Sequence, residues 1–62
     1  MQFHIENMTC GGCVRSVTKA IQSIDPAAEV RADTGTHKVD VKSAAPRERL
    51  TAALTEVGYA PA

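Results

Sequence analysis

Residues 2–6 alternate, with Phe3 and Ile5 on one side and Gln2, His4 and Glu6 on the other. That two-residue period predicts a first strand covered on one face. From Cys13 to Ile24 the apolar residues Val14, Val17, Ile21 and Ile24 recur at steps of three and four, and Arg15, Ser16, Lys19, Gln22 and Ser23 fill the other positions. This spacing predicts an amphipathic helix, stopped at Asp25-Pro26 because proline disfavours helical geometry in the residue before it. Ala28, Val30 and Ala32 then alternate with Glu29, Arg31 and Asp33, and after Thr34-Gly35-Thr36 the valines Val39 and Val41 alternate with Lys38, Asp40 and Lys42. Two strands joined by a tight glycine turn make a hairpin. Leu50, Ala53, Leu54 and Val57 follow helical spacing behind Pro46, placed as a first-turn proline, until Gly58 ends the run. Ala45 offers no capping oxygen, which leaves Ser43 or water for that task. Tyr59-Ala60-Pro61-Ala62 has room only for a stub of a fourth strand.

The order strand, helix, strand, strand, helix, strand stub predicts an α+β fold: a ferredoxin-like βαββαβ sandwich with both helices on one face of an antiparallel sheet. Its inward set is Phe3, Ile5, Val14, Val17, Ile21, Ile24, Val30, Val39, Val41, Leu50, Leu54 and Val57. The 62 residues leave room for a single domain, 1–62, and Phe3 and Tyr59 are the only aromatics, which argues against an enzyme built around a large organic cofactor. Seven basic and seven acidic residues sum to zero charge, and no basic cluster exceeds Arg47 and Arg49, so a nucleic-acid module is disfavoured. No apolar run approaches the roughly 18 to 20 residues of a membrane span, and the N-terminus lacks the build of a signal peptide. The expected setting is soluble and cytoplasmic.

Candidate chemistry sits in Met8-Thr9-Cys10-Gly11-Gly12-Cys13, the loop between the first strand and the first helix. A disulfide between Cys10 and Cys13 closes so short a loop that it adds little stability, so the pair reads as a metal clip or a redox centre. Cys13 falls in the first helical turn, where unpaired N–H groups and the helix dipole favour thiolate over thiol. Gly11 and Gly12 relax the backbone between the sulfurs and let them turn toward one point. Soft thiolates select soft ions such as monovalent copper, which two ligands satisfy, whereas structural zinc wants four. His4 belongs to the sheet face opposite the core and His37 to the far end of the hairpin from the loop, so neither is expected to converge on the sulfurs. The competing redox reading lacks the Trp-Cys-Gly-Pro-Cys pattern of thioredoxin-type sites. Met8 is either a third, thioether ligand or a core filler that anchors the loop. Arg15, Lys19, Arg47 and Arg49 are, at their simplest, the wet side of two helices.

With these residues in place, the chain resembles the heavy-metal-associated domain family, and within it the small stand-alone bacterial copper chaperones. The resemblance rests on Met-x-Cys-x-x-Cys, matched by Met8, Cys10 and Cys13 behind a first strand, and it covers essentially all 62 positions. It implies that Cys10 and Cys13 bind Cu(I) at an exposed loop supported by Met8, Thr9, Gly11, Gly12 and Tyr59. It further implies that the ion passes, through a three-sulfur intermediate, to the Cys-x-x-Cys metal-binding domain of a copper-transporting P-type ATPase. Tyr59 matches the tyrosine such bacterial chaperones carry near the metal, which shields the clip rather than ligating. Eukaryotic relatives tend to have lysine there and mercury-binding relatives phenylalanine, while zinc- or cadmium-handling ones often add a carboxylate where this chain has Thr9 and Val14. Gly12 stands where some bacterial members place histidine. The alternatives are a module for Hg, Zn or Cd and, in another class, a dithiol redox protein. Docking would use the surface around the clip, with Arg15 and Lys19 as a positive strip facing an acidic partner. The implied state is a non-enzymatic monomer that copper can bridge into a homodimer through four thiolates, with no membrane insertion.

Overall fold

The computed structural model describes residues 1–62. The elements are β1 (Gln2–His4), α1 (Gly11–Ile24), β2 (Glu29–Asp33), β3 (Lys38–Lys42) and α2 (Arg47–Glu56). The strands form an antiparallel sheet in the order β1-β3-β2. Between β2 and β3 the register sets Val30 opposite Val41 on the inner face, and Glu29 opposite Lys42, Arg31 opposite Asp40 and Asp33 opposite Lys38 on the outer one. A slip of one residue would turn the valines outward and misalign the opposite charges, so both faces specify the same pairing. The ladder runs past the ends of β1, because Val41 N–H donates to Met1 O and Ile5 N–H to His37 O, each at 2.8 Å.

The two helices cover one face of the sheet, in a ferredoxin-like arrangement. Phe3, Ile5, Met8, Val17, Ala20, Ile21, Ala28, Val39, Val41, Leu50 and Leu54 are buried as one cluster. Val14, Ile24 and Val30 of the expected inward set pack only partly buried against it. Val57 is the clear exception at 46 % exposed. Helix α2 ends at Glu56 and Val57 is its C-cap, so the helical spacing that pointed it inward stops one residue too early. Ala20 and Ala28 join the core unannounced by size, and Ala20 shares the lining of an open groove between α1 and α2 with Ala52 and Ala53.

Three further details depart from expectation. The tail forms no fourth strand: Pro61 has no N–H to offer a ladder, and a single bond from Ala62 N–H to His4 O at 2.7 Å lays the chain end along the open edge of β1. Pro46 occupies the N-cap of α2 rather than its first turn, while Ser43 Oγ accepts from Ala45 N–H at 3.0 Å and donates to Asp25 Oδ2 at 2.7 Å, tying the approach to α2 onto the end of α1. Arg47 is more than solvated, since its guanidinium lies 4.4 Å from the ring centroid of Phe3 and lids that side chain by a cation–π contact. No helix is long and apolar enough to cross a membrane.

Candidate metal centre

Helix α1 starts with Cys10 as its N-cap in extended geometry, and the Cys10 carbonyl accepts the first helical bond from Val14 N–H at 3.1 Å. No side chain caps this end and no acidic residue stands in the first turn. The free N–H groups and the positive end of the dipole are therefore left unmatched by any side-chain cap or carboxylate at the end of α1 that carries the thiols. Cys10 is exposed and Cys13 half-buried, both are free thiols, and their sulfurs lie 3.2 Å apart. Hydrogen bonding draws the Cys13 pKa from 9.0 down to about 6: the Tyr59 hydroxyl contributes most, then the Thr9 backbone N–H and the Cys10 side chain, against an opposing desolvation. The same contact pushes the Tyr59 hydroxyl up, because its proton is held by a developing thiolate.

What lies beneath the pair gives the loop its shape. The Met8 side chain is completely buried in the core below the loop, while its carbonyl sits 3.2 Å from His37 Nδ1. His37 is thus at the thiol end of the molecule and not at its far end. The antiparallel pairing of β1 with β3 requires this, since the start of β3 must lie beside the end of β1. His37, rather than Gly35, also takes the left-handed conformation of the hairpin turn, at φ 57°. His4 stays on the outer face, its ring centroid 6.2 Å from that of His37 and its Nε2 3.8 Å from Glu6 Oε1. No three His, Cys, Asp or Glu side chains converge on a common point.

The glycines act differently from their expected role. Gly11 and Gly12 are ordinary helical residues; among the glycines only Gly58 has positive φ, at 90°. A Cβ at Gly11 would meet nothing within 4 Å and one at Gly12 would make only an ordinary contact with Cys10 Sγ at 3.8 Å, so neither position demands glycine for space, and their bare backbone simply leaves the surface beside the sulfurs open. Arg15 and Lys19 are exposed one turn apart on α1. Asn7, which no periodicity singles out, donates from Nδ2 to Gly58 O at 2.7 Å and joins the thiol loop to the Tyr59 loop.

The profile of the heavy-metal-associated domain family matches residues 2–60. The chain is 36 % identical over 61 residues to Copper-transporting ATPase 2 of Rhizobium meliloti, an alignment covering 95 % of this chain and only 7 % of that protein. Among solved structures, a gold-binding protein is 48 % identical with a TM-score of 0.94, covering 98 % of this chain and 94 % of the other. The copper chaperone Atx1 from Synechocystis PCC6803 is 34 % identical with a TM-score of 0.96, covering 100 % and 98 %. A match that runs through both cysteines and all five elements places this chain in the heavy-metal-associated domain family.

Proposed function

We propose that the chain is a non-enzymatic Cu(I) chaperone that holds one ion between Cys10 and Cys13 and delivers it to the metal-binding domain of a copper-transporting P-type ATPase. The observation that carries this is the pair of free sulfurs 3.2 Å apart at an exposed corner with no third ligand nearby. Two thiolates satisfy a soft monovalent ion and leave a borderline divalent one short of ligands. Opposing the sulfurs across an ion requires them to separate somewhat, which rotation of the exposed Cys10 side chain supplies. Delivery is ligand exchange without change of oxidation state. A partner thiolate adds to the two-coordinate ion, a three-sulfur intermediate forms, and Cys10 or Cys13 leaves and can take up a proton. Arg15 and Lys19 meet an acidic partner surface, Tyr59 shields Cys13, and a reducing compartment such as the cytoplasm keeps the exposed thiols from oxidising. Similarity to both a copper-transporting ATPase and a copper chaperone supports this reading.

The 48 % identity to a gold-binding protein favours a second reading, in which the same two sulfurs serve another soft monovalent ion. Anaerobic competition of the reduced protein against a Cu(I) chelator, repeated with Au(I), Hg(II) and Zn(II), separates the two. The expected result is one Cu(I) per chain, tight binding lost in Cys10→Ser and in Cys13→Ser, and no catalytic reduction of insulin. A preference for Au(I) over Cu(I) beyond that shown by a free dithiol such as dithiothreitol selects the second reading, and preference for Zn(II) overturns both.

A further inference from the structure

The peptide unit that precedes Tyr59 is held at both ends. Its N–H, from Tyr59, donates to Leu54 O at 2.8 Å, and its carbonyl, from Gly58, accepts from Asn7 Nδ2 at 2.7 Å. The first bond belongs to the close of α2: together with Gly58 N–H on Thr55 O at 3.1 Å and Gly58 at φ 90°, it completes a Schellman motif. The second comes from 51 residues away in sequence, from the loop that leads into Cys10. A Schellman motif secures the N–H and ties this peptide only to its own helix. The Asn7 amide ties it to the thiol loop, and so fixes the backbone that carries Tyr59 relative to the segment that leads into Cys10.

We propose that Asn7 is a positioning residue of the thiol pair: by holding the Gly58 carbonyl it keeps the Tyr59 loop in place so that the phenol reaches Cys13. Asn7 touches neither sulfur and acts only through Tyr59. The copper-release measurement rests on the copper reading, while the contact measurement in the metal-free protein does not.

The test uses the reduced protein and four variants: Asn7→Ala, Asn7→Asp, Tyr59→Phe, and Asn7→Ala combined with Tyr59→Phe. Asn7→Asp keeps the side-chain shape and removes the donor, and it carries the test should Asn7→Ala fold poorly. In the metal-free protein, nuclear Overhauser contacts between the Tyr59 ring and the Cys13 β-protons are expected to be lost in both Asn7 variants, with the amide signals of the three strands unchanged. Persistence of those contacts overturns the proposal. For Cu(I)-loaded protein mixed with excess chelator, Asn7→Ala and Tyr59→Phe are each expected to speed release about three- to tenfold, the scale of one hydrogen bond, and the double variant no more than Tyr59→Phe alone. Multiplying effects in the double variant show that Asn7 does not act through Tyr59 and overturn the proposal equally. If the parent protein takes up no Cu(I), the copper reading fails by itself and the contact measurement decides the role of Asn7.

Discussion

The Cys13 thiol is drawn well below its ordinary range, chiefly by the Tyr59 hydroxyl, then by the Thr9 backbone and Cys10, against the cost of its partial burial. Because the folded value of about 6 lies below the ordinary thiol value of 9.0, the resulting stabilisation is complete above the ordinary value and disappears as pH falls through about 6. The melting temperature of the reduced, metal-free protein should therefore fall across that window relative to Cys13→Ser, which lacks the group. Tyr59→Phe should move the thiolate absorbance midpoint of Cys13 upward and narrow the window. An unchanged midpoint in Tyr59→Phe would show that the phenol does not reach the sulfur.

At the level of elements, α2 decides both stability and the position of Tyr59. Leu50 and Leu54 are fully buried while Val57, one turn beyond Leu54, is 46 % exposed. Leu54→Ala should cost about 2–5 kcal/mol and Val57→Ala no more than about 0.5 kcal/mol, measured by urea unfolding. Gly58→Ala meets no atom within 4 Å yet must hold φ at 90°, so its cost of about 1–2 kcal/mol is conformational rather than steric. Equal losses at Leu54 and Val57 would mean that the helix continues past Glu56 and that its terminal turn is packed.

For the whole molecule, a formal net charge of zero gives no net attraction to a charged partner, so in the proposed delivery role electrostatic docking would come from a local patch. Arg15 and Lys19 form one on the helix whose N-terminus carries the sulfurs, and neither is engaged in a salt bridge. Raising salt from about 0.05 to 0.5 M, which shortens the Debye length severalfold, should slow Cu(I) transfer to an acidic target domain. Arg15→Ala with Lys19→Ala should flatten that dependence without altering Cu(I) affinity. Transfer rates insensitive to salt would remove these two residues from docking.

The alternation around Phe3, Val39 and Val41, the three- and four-residue steps of Val17, Ile21, Leu50 and Leu54, and the stop at Asp25-Pro26 were legible from the chain because each is a relation among near neighbours. So was the placement of Cys10 and Cys13 at the start of a helix. Other features depend on segments far apart in sequence: His37 beside Met8 across 29 residues and Asn7 on Gly58 across 51. Periodicity carries no information about such pairs, which exist only once β1 lies beside β3 and α2 closes over the sheet. Local pattern thus determined the elements, their order and the two thiols. Packing decided which loops meet at those thiols, because a hydrogen bond needs its partners at about 3 Å and only the folded chain brings distant backbone that close.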